Sequence, residues 1–214
     1  ILALADWPTR ASAGDPLCDP MCGSGTLPIE AALIAADAAP GLGRARFGFH
    51  GWRGHDAALW QRLCDEARAR RRPIVSKLFG FDQDAHAVQI ARDNARRAGV
   101  AEAVDFRVVK LADATPPVDQ PGVVVMNPPY GERLGETLVL GPLYEQIGAI
   151  LRHRFTGWHA YVLTSNPELQ KHIGLRTSRR HVLFNGPLEC RLLDLPIAAD
   201  ARAHPALHQG GHPA

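Results

Sequence analysis

The chain has 214 residues, 46% hydrophobic and 21% charged, which suits one compact globular domain and excludes a disordered or collagen-like polymer. Its 24 basic and 22 acidic side chains leave a net charge of only +2, which neither demands nor excludes a polyanionic partner. No apolar run reaches membrane-spanning length, so no membrane partner is expected.

In chain order, the first residues (ILALADW, 1–7) carry no Met and read as the end of a cut helix, so the natural protein is expected to extend upstream. Residues 16–19 read as a short strand and 26–37 as an apolar, Ala-rich helix. A loop rich in Gly, Arg and aromatics fills 40–55, and Asp56 can cap a helix to about residue 72. Residues 78–82 predict a second strand, and Asp84 caps a helix over 85–98 that Gly99 ends. Strands follow over 104–109 and 123–126, then a helix over 143–154 and a strand over 158–164. Residues 181–184 and 188–195 read as two strands around an Asn-Gly turn at Asn185-Gly186-Pro187. The alternation predicts an α/β fold, a doubly wound, mostly parallel Rossmann-like sheet closed by an antiparallel hairpin. One domain is expected over 1–197, with 198–214 as a flexible tail.

The tetrapeptide Asn127-Pro128-Pro129-Tyr130 follows the apolar run 123–126 and marks the candidate catalytic site. Two prolines in succession fix φ and hold Asn127 and the Pro128 carbonyl at the carboxyl edge of a sheet, where open α/β sheets bind ligands. An amide oxygen, a backbone carbonyl and an aromatic face suit a planar group carrying an exocyclic NH2. Asp19-Pro20-Met21-Cys22-Gly23-Ser24-Gly25-Thr26 is a glycine loop at a strand-to-helix junction, without the lysine of a P-loop. It fits a ligand that brings no phosphate, with Asp19 free to attract a cationic or amine-bearing one. Asp82, at the next strand end, stands where doubly wound folds bind the two hydroxyls of a ribose, although a helix-capping role there is the plainer alternative. Asp113-Ala114, after the third strand, supplies a further acid for an adenine amino group. Glycine loop, ribose acid and adenine acid on successive strands describe S-adenosylmethionine (SAM). The candidate cofactor residues are therefore Asp19, Pro20, Met21, Cys22, Gly23, Gly25, Thr26, Asp82, Asp113, Ala114 and Asn127.

Four scattered cysteines, Cys18, Cys22, Cys64 and Cys190, form no CxxC pair, so reduced cytoplasmic thiols are expected and no metal site. Cys22 has no His or cationic partner nearby in sequence and reads as a small buried side chain rather than a nucleophile. The loop at 41–53 interleaves Arg44, Arg46 and Arg53 with Phe47, Phe49 and Trp52. Either the arginines contact RNA or the aromatics pack the loop onto the sheet.

Taken together, the chain resembles the class I SAM-dependent methyltransferases, and more narrowly the RlmL family of ribosomal RNA guanine-N2 methyltransferases. The resemblance rests on DPMCGSGTLPIEAALIAADAAPGL (19–42), FGFHGWRGHD (47–56), NPPYGERLG (127–135) and NGPLECRL (185–192), and covers residues 1–197. It implies a seven-stranded methyltransferase sheet, SAM as cofactor and 23S ribosomal RNA as partner. It also implies an upstream RNA-binding domain of the THUMP type and a preceding helix that lines the cofactor pocket. Methyl transfer from a sulfonium is an in-line displacement, so alignment is the main task. With Asn127 Oδ1 and the Pro128 carbonyl accepting the hydrogens of the amine, its lone pair turns toward the methyl group, and Tyr130 stacks on the flipped base. The same acceptor array serves adenine N6 in DNA and a protein glutamine amide, and a non-catalytic RNA-binding module would keep the fold without the chemistry.

Overall fold

The computed structural model describes residues 1–131 and 136–199. Seven strands form one sheet: β1 (Leu17–Asp19), β2 (Leu78–Asp82), β3 (Val104–Val108), β4 (Val123–Met126), β5 (His159–Thr164), β6 (Arg179–Asn185) and β7 (Leu188–Pro196). Their order is β3-β2-β1-β4-β5-β7-β6, with β1 to β5 parallel and β7 antiparallel to both β5 and β6. Strand order reverses between β1 and β4, so the loops leaving their carboxyl ends open a crevice there.

The near-continuous apolar runs reflect burial on both faces. In β4, Val123 and Val125 enter one core, while Val124 and Met126 enter the other. The first core is covered by α1 (Trp7–Ala13), α2 (Thr26–Ala35) and α4 (Ala85–Ala98). Small residues bring these helices close: Ala31, Ala32 and Ala35 of α2, and Ala91 and Ala95 of α4, are buried. The second core lies under α5 (Glu136–Arg154) and α6 (Pro167–Ile173), which bury Tyr144, Ile147, Leu151 and Leu169 completely. Each such apolar side chain contributes about 1.5–3 kcal/mol by leaving water. α3 (Ala57–Ala69) belongs to neither core and is capped by Asp56, whose carboxylate accepts from the Leu59 amide.

Several boundaries differ from the sequence expectation. The first residues do end a helical turn, the Ala5 amide donating to the Ile1 carbonyl and the Trp7 amide to the Leu2 carbonyl around a left-handed Asp6 (φ 53°), but α1, which follows directly at Trp7 with Pro8 in its first turn, was not anticipated. α5 begins seven residues before the expected 143, running through Pro142, because burial of its apolar face outweighs the hydrogen bond that proline lacks. α6 was not anticipated, although Asn166 caps it, Pro167 opens it and Gly174 closes it in the left-handed conformation. In the hairpin, Asn185 pairs with Leu188, so the two loop residues are Gly186 and Pro187 rather than an Asn-Gly pair. Gly186, at φ 60°, supplies the positive φ that a two-residue hairpin needs at its first position. β7 closes at Pro196, and the expected tail lies outside the described residues from position 200 onward.

Candidate active site

The glycine loop leaves β1 at Asp19, whose side chain is 2% exposed and accepts from the Met21 amide at 3.0 Å. Burial pushes this carboxyl up to about 8, against the lowering effect of the Met21 hydrogen bond and with a smaller push from neighbouring Asp82. Asp19 is therefore not free to attract a cation from solvent: with nothing bound, its neutral form is favoured at pH below about 8. Asp82 closes the loop onto β2, its Oδ2 accepting from the Gly23 amide and its Oδ1 from the Asp84 amide, both at 2.9 Å. The helix cap itself is Asp84, which accepts from the His86 amide, so Asp82 closes a turn ahead of α4, and each of its oxygens keeps a second lone pair for a ligand hydroxyl. Gly25 adopts φ 83°, and a Cβ there would lie 2.9 Å from both the Ala91 Cβ and the Phe106 ring, so its role is close packing against α4 and β3.

Two cavities flank Met21, which lines both. The larger, about 550 Å³, is lined by Asp19, Cys22, Gly23, Thr26, Asn127 and residues of the closing hairpin, with no lysine or arginine among them. The smaller, about 300 Å³, is lined by Pro20, Asp82, Lys110, Leu111, Ala112 and residues of α5. Asp113 and Ala114 line neither cavity. Asp113 is exposed at the end of a short 3-10 turn, and Ala114 is buried with its carbonyl accepting from Arg154, so Leu111 and Ala112 are what reach the smaller cavity.

Asn127 follows β4 at the rim of the larger cavity. Its Oδ1 accepts from the Tyr130 hydroxyl at 2.5 Å, and that hydroxyl accepts from Asn185 Nδ2 at 3.5 Å. The stacking face expected of Tyr130 is therefore not presented: the ring is 8% exposed within the first core, and its hydroxyl orients Asn127. Desolvation raises the Tyr130 hydroxyl, which keeps it a hydrogen-bond donor. Pro128 is buried, and the Pro129 carbonyl accepts from Tyr144, whose hydroxyl also lies 3.1 Å from Thr164 Oγ1. Of the extension after the tetrapeptide, only Gly131 lies within the described residues.

Phe184 and Asn185 line the cavity beside Asn127 and were not expected there. β6 runs parallel to β5, so the hairpin turn falls on the same carboxyl edge, and Phe184 stands 71% exposed. The Asn-Gly-Pro turn signalled the hairpin, but only the strand order places it at the site. Cys22 is buried with its thiol pushed up by desolvation, in keeping with a packing residue. Among the described residues, no group of three or more His, Cys, Asp or Glu is arranged to hold a metal ion, and no helix is long and apolar enough to cross a membrane.

Arg44, Arg46 and Arg53 are all exposed, on the loop before α3. Arg44 lies 5.0 Å over the Phe47 ring and donates to the Arg46 carbonyl. Phe47 and Phe49 do not pack onto the sheet; they stack on each other and meet Trp60 of α3 edge-on.

Comparison with known proteins agrees with this architecture. A protein of Allochromatium vinosum, "Ribosomal RNA large subunit methyltransferase K/L", is 51% identical over 92% of this chain and 27% of its own length. The chain spans about three tenths of the length of the curated relatives it matches. The crystal structure of SMU.472 complexed with SAH superposes with a TM-score of 0.77 at 34% identity, over 87% of this chain and 48% of that one. A predicted N6-adenine-specific DNA methylase from Listeria monocytogenes superposes with a TM-score of 0.74 at 32% identity, over 89% and 51%. Residues 1–194 match the family model described as RMKL-like, methyltransferase domain. With that match spanning nearly its whole length, the chain belongs to the RMKL-like methyltransferase domain family.

Proposed function

We propose that the chain transfers a methyl group from SAM to the exocyclic N2 amine of a guanine in 23S ribosomal RNA. The observation that carries this is the shared cavity: Asn127 and the glycine loop line one space of about 550 Å³. The residues present suit SAM. A buried Asp19 carboxyl, which ionises only when a cation sits against it, and the absence of a basic side chain among the residues lining the larger cavity suit a cationic ligand and disfavour a phosphorylated one. Asp19, Gly23 and Thr26 would hold the methionine part, and Asp82 with Leu111 and Ala112 the adenosine part, on either side of Met21. When bound, SAM supplies an electrophilic methyl group.

The protein's own task is to hold the amine. Asn127 Oδ1 keeps one lone pair beyond the Tyr130 hydrogen bond, and with the Pro128 carbonyl it accepts the hydrogens of the amine, turning the nitrogen lone pair out of the base plane. Phe184, rather than Tyr130, is the exposed ring at this cavity and takes the stacking role. Arg44, Arg46 and Arg53 contact phosphates. An upstream THUMP-type domain of the same protein delivers the RNA, in the cytoplasm.

Similarity to the relatives named for ribosomal RNA supports the acceptor, while the likeness to a predicted adenine-specific DNA methylase keeps adenine N6 in DNA as the second reading. Incubating the chain with labelled SAM and, in parallel, ribosomal RNA lacking the modification or duplex DNA separates them. Label in RNA, lost in Asn127→Ala, is expected; label in DNA alone would overturn the choice of acceptor.

A further inference from the structure

The segment from 40 to 72 stands apart from the rest of the molecule in packing and in charge. α3 makes at most marginal contact with the other helices and strands, and no residue of this segment joins either core. It builds a small core of its own. Phe47 and Phe49 stack at 5.3 Å, and Trp60 meets them edge-on at 5.5 and 5.0 Å. His50 Nδ1 accepts from the Phe47 amide, so its Nε2 carries the hydrogen and is buried near the rings of Phe49 and Trp60 with no hydrogen-bond partner among the described residues. Outside this cluster Trp52 is 72% exposed, yet it is held in place by an edge contact to Phe49 and by its amide donating to the Phe49 carbonyl.

The charge is as separate as the packing. Eight arginines against three acids give residues 40–72 a net +5, while the whole chain is +2, so the remainder is −3. Arg68 and Arg70 are paired with Asp65 and Asp37; the other six are exposed without an acidic partner among the described residues, Arg71 and Arg72 at the base of the segment and Arg44, Arg46, Arg53 and Arg62 farther along it. A protein surface would cover Trp52 without requiring this concentration of arginine. A polyanion with flat, unpaired faces uses both features.

We propose that this arm is a clamp for single-stranded RNA, in which Trp52 stacks on an unpaired base while Arg44, Arg46, Arg53 and Arg62 hold the flanking phosphates. The inference rests on RNA being the substrate and deepens that reading by giving the strand a grip of its own. The base of the arm is pinned at the far end of α2 from the glycine loop, where Arg70 pairs with Asp37 and Arg72 donates to the Ala35 carbonyl. The clamp therefore holds a different stretch of the strand from the one whose base enters the cavity.

The test is a titration of the chain with a uridine oligonucleotide of about 12 nucleotides, followed by tryptophan fluorescence, with a duplex RNA of equal length and heparin in parallel. Trp7 and Trp158 are buried and Trp60 half-buried, so Trp52 is the exposed reporter. The single strand should quench the signal and bind tighter than the duplex; with a fluorescein-labelled strand followed by anisotropy, which needs no tryptophan, Trp52→Ala should weaken binding about tenfold, as loss of one stacked base implies. Arg62→Ala should lower the slope of log affinity against log salt by about one. Equal affinity for single strand and duplex, unchanged affinity in Trp52→Ala, or quenching by heparin alone would each overturn the clamp. No methyl transfer is involved, so quenching without methylation sinks the transferase reading alone, and methylation without quenching sinks the clamp alone.

Discussion

Asp19 sits where two demands conflict, since its burial stabilises the fold only while it is neutral, whereas a cationic ligand needs it charged. Its carboxyl moves from 3.8 in the unfolded chain to about 8 in the folded one. Between those values the unfolded chain has released a proton that the folded chain retains, so its contribution to stability falls as pH rises to about 8 and is level above. Asp19→Asn removes the conflict. Urea unfolding should give the variant a higher midpoint than the wild type at neutral pH, with the gap widening as pH rises toward 8, while calorimetry shows SAM binding lost. For the wild type, SAM affinity should rise with pH over the same window. Tyr130 poses a subtler case, because its type and place were readable from the tetrapeptide but its commitment was not. Stacking was expected; a hydroxyl donated to Asn127 is what the core packing leaves available. Tyr130→Phe removes one hydrogen bond, worth about 1 kcal/mol, so turnover should drop about fivefold with SAM affinity unchanged. Unchanged turnover would remove Tyr130 from the orientation of Asn127.

Among the elements, those with strong local signals were legible: β2, β4 and α4 stand at the residues where pattern and caps place them. Those decided by packing were not, as α5 shows by crossing Pro142. α5 also depends on Gly148, where a Cβ would fall 1.9 Å from the Ile173 carbonyl oxygen at the end of α6. Gly148→Ala must push the two helices apart, so chemical denaturation should show a loss of about 1–3 kcal/mol or more; a loss within error would mean that α6 yields freely. The closing hairpin carries the element-scale prediction about function. Its turn was legible, but its arrival at the carboxyl edge depends on β6 lying beyond β7, which no local pattern encodes. Phe184 is 71% exposed, so Phe184→Ala should leave stability nearly unchanged. It should nevertheless lower kcat/KM for RNA about tenfold, as one lost stacked base implies. Steady-state kinetics with intact activity would return the stacking role to another side chain.

For the molecule as a whole, the fold class followed from alternating strand and helix signals, and the donor site from acids and glycines at successive strand ends. Of the three acids, Asp19 and Asp82 line the two cavities and Asp113 does not, because a 3-10 turn carries it outward past Leu111 and Ala112. The acceptor is the part that local chemistry leaves open, since an array of acceptors beside an exposed ring serves several amines. Charge narrows it: the positive arm over 40–72 set against a negative remainder suits a nucleic acid better than a peptide. The central claim, that this cavity methylates the N2 amine of guanine in ribosomal RNA, is tested most directly by identifying the product. Ribosomal RNA lacking the modification is incubated with the chain and SAM, digested to nucleosides and resolved by mass spectrometry. The account predicts N2-methylguanosine, absent when Asn127→Ala replaces the wild type; methyl groups recovered on adenine, or a product that persists in Asn127→Ala, would contradict it.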